Sequence, residues 1–367
     1  MFTDARPELT VVVPCFNEKE NIRPLVKLLE ETLKEIHWEV YFVDDDSPDG
    51  TSVEVSNLAL ENHHVHLLKR VGRRGLSGAC IEGALSSLGK YIAVMDADLQ
   101  HDESKLIDML ELHRQDQGLD LVVGSRKVEG GSSSGGLSKI RELGSDLAIK
   151  MARSLLRITV ADPMSGFFMV KRASFNQVVT QLQPQGFKIL ADMLSAAKGN
   201  WNVKEVGFQF RSRQFGESKM DSAVTLQYLG LLISRLTGGF LPIRFVLFGL
   251  VGLTGVFVQL ASVFILLELF GIPFYISQMV GVWVAMTTNF TFNNLLTFSD
   301  SKLTGYRWLK GLISFYAVCL LGAFINVAIA EWLFGMSVNW AIASALGAVF
   351  GAMWNFFLSS IITWKSR

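Results

Sequence analysis

The apolar positions of this chain follow two different patterns. Over the first 240 residues, short apolar runs alternate with helical periodicity. Residues 9–13, 40–43, 91–95 and 119–123 read as buried strands, and residues 19–35, 52–61, 76–88 and 103–117 as helices. Such alternation predicts a mostly parallel sheet covered by helices, an α/β domain. Beyond it the pattern changes. From residue 245 to 298 the only charged side chain is Glu268, and from 311 to 364 the only one is Glu331. Each stretch can hold two membrane helices of about 20 residues. Turn-like segments at 270–273 and 334–336 divide them, which places four spans near 243–267, 274–297, 311–332 and 339–363. A soluble core helix seldom avoids charge on every face for so long.

The expected organisation is therefore a first domain over 1–220, a linker over 221–240 and a membrane domain over 241–367. Residues 224–236 read as an interfacial helix leading into the first span. Asp146, Lys150, Arg153 and Arg157 form the polar face of an amphipathic helix. The mean hydropathy of +0.32 fits this division. The chain has 34 basic and 34 acidic residues, so no net field favours nucleic acid. Six basic and three acidic residues fall in 241–367, and the rest of the charge lies before it. Lys302, Arg307 and Lys310 in the link between the second and third spans, with Lys365 and Arg367 in the tail, predict that both face the cytosol. Four spans then put the first domain in the cytosol as well, in agreement with a polar N-terminus. Cys15, Cys80 and Cys319 match no disulfide or zinc spacing.

The candidate chemistry sits at the expected strand ends. The strand over 91–95 runs into Asp96-Ala97-Asp98-Leu99-Gln100-His101. Two carboxylates and a carboxamide at a strand end suit Mg²⁺ or Mn²⁺, an ion often used to hold nucleotide phosphates. The first strand ends in Pro14-Cys15-Phe16-Asn17-Glu18, and the second in Val43-Asp44-Asp45-Asp46-Ser47-Pro48-Asp49. These acids suit a base or ribose, or equally turn and helix capping. Arg70, Arg73 and Arg74 ahead of Gly75 suit an anion. There is no Gly-x-Gly-x-x-Gly after the first strand and no P-loop signature, which disfavours those nucleotide folds.

Taken together, Val13-Pro14 with Asn17-Glu18, Val43 to Thr51, Asp96 to His101, Gly124-Ser125-Arg126, Ser165-Gly166-Phe167 and Arg213 with Gly216 to Lys219 resemble family 2 glycosyltransferases with a GT-A fold. The resemblance is to the polyprenyl-phosphate mannosyltransferases of the dolichol-phosphate mannose synthase type. Asn289-Phe290, Asn293 and Thr297-Phe298 are similar to the signature of the GtrA-like four-helix module fused to such enzymes. The resemblance implies a Rossmann-like GT-A domain followed by an all-α transmembrane domain. It implies that Pro14, Phe16, Glu18, Val43 and Asp45 hold the nucleotide. Asp96, Ala97, Asp98 and Gln100 would contact the donor, with Asp98 and Gln100, assisted by Asp96, on Mg²⁺ or Mn²⁺. Arg126, Arg213 and Lys219 would meet phosphates, and Arg141 and Ser145 would sit on the acceptor side. The implied donor is GDP-mannose and the implied acceptor a polyprenyl or dolichyl phosphate in the membrane. Three departures stand out: Asp46 where a small residue or Asn is usual, Arg74 for Lys, and Asp102-Glu103 where Pro is common. A UDP-glucose or other UDP-sugar donor remains the alternative, and the membrane module reads as an anchor or a glycolipid flippase. The sequence leaves a homo-oligomer open.

Overall fold

The computed structural model describes residues 6–132, 160–184, 188–212, 241–338 and 340–364, together with 230, 233, 234 and 237, and the statements below concern these. The chain divides into two compact units, Met1–Val224 and Thr225–Arg367.

The first unit is built on a seven-stranded sheet in the order β3-β2-β1-β4-β6-β5-β7. The strands are β1 (Leu9–Cys15), β2 (Trp38–Asp44), β3 (Val65–Lys69), β4 (Tyr91–Val94), β5 (Leu121–Ser125), β6 (Phe168–Lys171) and β7 (Val203–Gly207). The β1 strand pairs in parallel with β2 and β4, β2 with β3, and β5 with β7, whereas β6 is antiparallel to both β4 and β5. The expected mostly parallel sheet is thus present as a mixed sheet with one reversed strand. In β1 and β4 almost every residue is buried on both faces, the mark of strands sandwiched between helices.

Helices α1 (Lys19–Leu33), α2 (Thr51–Glu61), α3 (Leu76–Ser86), α4 (Lys105–Gln115), α5 (Arg172–Val178) and α6 (Ile189–Ala197) complete this unit. In α1 the buried residues Ile22, Leu25, Val26, Leu29 and Leu33 recur every three or four positions and face the core. The four strands and four helices read from periodicity are all present, with ends shifted by a few residues. Strands β3, β6 and β7 carry too weak a pattern to be read in advance. The β3 and β7 edge strands alternate with His, Lys and Glu, and β6 has four residues.

In the second unit, four helices lie over the expected spans: α7 (Ile243–Phe264), α8 (Phe274–Phe292), α9 (Tyr306–Gly335) and α10 (Trp340–Leu358). Helix α7 continues through a π-turn at Ile265–Leu269, α8 through one at Asn293–Thr297, and α10 through one at Ser359–Thr363. Among the described residues, the helix at Ile243–Leu269 is the one long and apolar enough to cross a membrane. Its large apolar side chains Leu253, Phe257, Leu260 and Phe264 are exposed. Helix α8 is more polar, yet Thr287, Thr288 and Thr291 each donate to the main-chain carbonyl four residues before. Hydroxyls turned back in this way cost little in an apolar setting. A cluster of Phe248, Phe290, Phe298, Phe315 and Trp364 forms the buried core of the unit. The helices expected at 146–158 and 224–236 fall outside the described residues, apart from Gly230, Ile233 and Ser234.

Candidate active site

Parallel strands β2, β1 and β4 stand side by side and end on the same edge of the sheet. Strand β5 runs parallel to β4, because β6 is antiparallel to both, so Arg126 emerges on that edge too. The turn Ser165-Gly166-Phe167 leads into β6 there, and Phe208 to Arg211 leave β7 there. Carboxyl ends of parallel strands are where an open α/β sheet binds ligands.

Asp96 and Asp98 follow β4 directly. Asp98 is nearly buried, and its Oδ1 accepts the Gln100 main-chain N–H at 3.2 Å. Between them and Gln100 the chain turns sharply at Leu99, whose φ of +63° lies in the left-handed region. A leucine held there is strained, and the burial of its side chain at 4% exposure keeps it in place. Gln100 is tied to β7's exit segment twice. Its Nε2 donates to the Arg211 carbonyl at 2.9 Å, and its carbonyl accepts the Arg211 N–H at 3.0 Å. With the amide nitrogen engaged, the amide oxygen is left as an acceptor. The departure at Asp102-Glu103 is explained here, since the Arg211 guanidinium pairs with Glu103 at 2.7 Å and Asp102 at 3.0 Å.

The Asp96 carboxylate keeps 38% side-chain exposure within a ring of protein groups. Lost hydration raises its carboxyl above the usual range, and His101 opposes that shift. His101 is buried, which lowers its pKa despite the nearby Asp96 and Asp98. A side chain at position 166 would put its Cβ 3.1 Å from the Asp96 carboxylate, so glycine is what allows the approach.

Arg126 is locked by an acid that sequence reasoning missed. Asp162 has 0% exposure and accepts from Arg126 Nε at 2.7 Å and Nη2 at 3.0 Å. The pair outweighs burial and raises the Arg126 pKa. The Arg126 guanidinium also lies over the Phe210 ring at 5.5 Å. Glu205 of β7 in turn accepts the N–H groups of Ala161 and Asp162 at 2.8 and 3.3 Å. Lys188 adds a further cation whose pKa burial lowers, Arg126 beside it acting the same way and Asp96 and Asp162 opposing.

On the nucleotide side the acids are engaged by neighbouring protein groups. Asp45 accepts from Arg70 at 2.6 Å and from the Gly75 N–H at 2.8 Å, so both of its oxygens are engaged by protein. Burial raises its carboxyl, and those two donors oppose the rise. Of the three arginines, Arg70 is spent on Asp45 and Glu82, and Arg73 on Glu82. Arg74 lies over the Phe16 ring at 4.4 Å. Asp44 and Asp49 serve the capping alternative: Asp44 accepts from Ser47 and Ser52, and Asp49 from Thr51 and Lys19. Val43 is fully buried, which leaves only its main chain for a ligand. Pro14 and Phe16 are half-buried, Ala97 is buried, and Glu18 bonds Asn21 at 2.7 Å. Arg141, Ser145, Arg213 and Lys219 lie outside the described residues.

Among the described residues, no group of three His, Cys, Asp or Glu side chains could hold a metal by itself. Asp96, Asp98 and the Gln100 amide oxygen nonetheless form a set of hard oxygen donors. A divalent ion held by few protein groups completes its shell from substrate phosphates and water, so the residues fit Mg²⁺ or Mn²⁺.

Over residues 10–179 the chain matches Glycosyl transferase family 2, and over 247–364 the GtrA/DPMS transmembrane domain. A dolichol-phosphate mannosyltransferase of Pyrococcus furiosus is 32% identical over 362 residues, spanning 98% of this chain and 100% of that one. A dolichol-phosphate mannosyltransferase of Mycosarcoma maydis is 36% identical, over 67% of this chain and 85% of its own. A polyprenol monophosphomannose synthase of Mycolicibacterium smegmatis is 31% identical, over 58% and 81%. A relative matched from end to end, together with the two family matches along this chain, leads to one assignment: the chain is a glycosyltransferase of family 2, of the dolichol-phosphate mannosyltransferase type that carries a membrane-associated GtrA/DPMS domain.

Proposed function

We propose that the protein transfers mannose from GDP-mannose to a polyprenyl or dolichyl phosphate at the cytoplasmic membrane face, as a dolichyl-phosphate β-D-mannosyltransferase. The observation that carries this reading is the convergence of Asp96, Asp98, Gln100 and Arg126 on one sheet edge of a chain similar throughout its length to a dolichol-phosphate mannosyltransferase. Asp98 and Gln100, with Asp96, would hold Mg²⁺ or Mn²⁺, and the bound ion would supply positive charge to the leaving nucleoside diphosphate. Phe16, Arg74, Pro14 and the Val43 main chain would line the nucleotide side, with Glu18 and Asp45 shaping it. Arg126 would meet a phosphate with the part of its guanidinium that Asp162 leaves uncovered. Arg213 and Lys219 would contribute on the phosphate side, and Arg141 and Ser145 on the acceptor side.

The acceptor phosphate is ionised at neutral pH and needs no general base. Its oxygen attacks the anomeric carbon in line, the bond to the diphosphate oxygen breaks, and the anomeric configuration inverts. The protein's part is to hold the two phosphate groups and the sugar in line. Residues 241–367 would anchor this chemistry to the membrane through four spans, with the link at Lys302, Arg307 and Lys310 cytoplasmic. Glu268 favours an anchor over a flippase. It is exposed, in the turn that closes α7, where an acid at a span end reaches the interface.

The test is a donor panel with a short polyprenyl phosphate, the product read by mass spectrometry. A mannosyl lipid from GDP-mannose and none from UDP-glucose is expected. Product from UDP-glucose instead would turn the assignment to the UDP-sugar alternative. Asp98→Ala is expected to lower kcat about a hundredfold or more, and full activity in that variant would overturn the placement of the site.

A further inference from the structure

We propose that His101 is a positioning residue that holds Asp96 in place through its main chain. Three aromatic rings hold its imidazole. Phe167 stacks on it at 5.1 Å and 12°, while Phe208 and Phe210 meet it at 5.5 Å and 5.9 Å, at 78° and 60°. The ring has 3% exposure and no room to turn. One edge of the ring lies along Asp96. Nδ1 accepts the Asp96 main-chain N–H at 3.1 Å, and Nε2 lies 3.7 Å from Asp96 Oδ2. A nitrogen that accepts an N–H carries no proton, so the proton of the neutral ring is on Nε2, and at 3.7 Å the carboxylate lies beyond hydrogen-bond reach of it. The imidazole thus holds Asp96 by its main-chain N–H and stands beside its acid. Gly166 completes the seat, because a Cβ there would crowd both Asp96 oxygens, at 3.1 and 3.4 Å, and His101 Cε1 at 3.5 Å.

The consequence is a division of labour between the two acids. Asp98 is held by its own loop through the Gln100 N–H. Asp96 is held through its main-chain N–H by His101, with 38% of its side chain left exposed. The inference rests on the site reading above, in which Asp96 contacts the donor and assists Asp98 and Gln100 on the metal. Partners of this kind, one step removed from the ligand, shift affinity or activity by about 10–100-fold.

Three variants separate positioning from packing. His101→Phe keeps the stack and removes the Nδ1 acceptor. His101→Asn can restore an acceptor where Nδ1 was, and His101→Gln places its amide where Nε2 was. The readouts are melting temperature, Mn²⁺ affinity by electron paramagnetic resonance, and kcat and KM for GDP-mannose. His101→Phe is expected to lower kcat about tenfold or more and to weaken Mn²⁺ binding, with His101→Asn recovering more of both than His101→Gln. Activity and Mn²⁺ affinity within twofold of the parent in His101→Phe, or equal values for the Gln and Asn variants, would overturn the inference. If His101→Phe does not fold, the Gln and Asn pair decides alone. Asp96→Asn is the reference. If it is inactive while the His101 variants keep parent activity, the positioning role fails and the site stands. If Asp96→Asn and Asp98→Ala both retain full activity, the site reading itself fails.

Discussion

At the scale of single residues, the aspartates show how one residue type takes different tasks in neighbouring positions. Asp46 adopts a φ of +58°, where Asn, Asp and Gly are the tolerated residues, and this explains why a small residue or Asn suits the position. Its exposed pair with Lys69 at 3.0 Å adds little. Asp46→Gly should therefore leave the melting temperature unchanged or slightly higher, whereas Asp46→Val should cost about 1–2 kcal/mol in denaturant unfolding. The reading of Asp45 as a nucleotide contact rested on its place in a motif. Its enclosure by Arg70 and Gly75 depends on residues some thirty positions away and has no local signal. Asp162 was hidden for the same reason, as a lone acid before a proline, far in sequence from Arg126. Buried histidine gives a pH prediction. His113 stacks on Tyr91, and its Nε2–H donates to the Met169 carbonyl at 3.2 Å. Burial lowers its pKa in the folded chain, so the unfolded chain takes up the proton first as pH falls below about 6.5. Stability from this group is complete above that pH and is lost on acidification. The melting temperature should fall between pH 7 and pH 5, with a shallower slope in His113→Phe.

At the scale of elements, the second unit contains a repeat that the apolar pattern concealed. Asn289-Phe290, Leu295-Leu296-Thr297 and Phe298 recur as Asn355-Phe356, Ile361-Ile362-Thr363 and Trp364, and each set ends in a π-turn. Asn289 lies against Gly255, and Asn355 against Gly322, where any Cβ would collide with the amide. Small residues that admit a polar partner are the means by which apolar helices pack closely. Equivalent residues then meet each other: Phe298 stacks on Trp364 at 4.3 Å, and Phe248 touches Phe315 at 6.4 Å. Uniform hydrophobicity made the four helices legible and the repeat illegible, because periodicity cannot show which apolar residues face one another. Asn294 breaks the likeness. Its Oδ1 accepts from Leu303 N–H at 2.7 Å and Trp364 Nε1–H at 3.0 Å, and its Nδ2 donates to the Leu303 carbonyl at 3.0 Å. The side chain is 2% exposed, so Asn294→Ala leaves these groups without partners. A loss of about 2–4 kcal/mol is expected on unfolding in detergent, and about 1 kcal/mol for Trp364→Phe, which removes one bond.

At the scale of the whole molecule, a charged α/β domain and a nearly uncharged helical domain share one chain because their substrates differ in solubility. A nucleotide sugar is delivered from water, and a polyprenyl phosphate is confined to a bilayer. The repeat sharpens the topology that the basic residues predict. Helices α7 and α9 are equivalent, as are α8 and α10, so the two hairpins should cross the membrane in the same direction. On the proposed topology the link after Phe298 and the tail after Trp364 occupy equivalent positions and would face the cytosol. The short turns at Gly271 and Ser337 would face the other side. Single cysteines introduced at Ser301 and Ser366 should react with an impermeant maleimide only after cells are opened. Cysteines at Gly271 and Ser337 should react in intact cells. Labelling of Ser301 and Gly271 variants from the same side would exclude a hairpin at α7–α8. Labelling of the Ser301 variant in intact cells would place the link outside and contradict the charge of Lys302, Arg307 and Lys310. The measurement also tests the proposed chemistry, since a nucleotide sugar delivered from the cytosol requires the first domain on the cytosolic face.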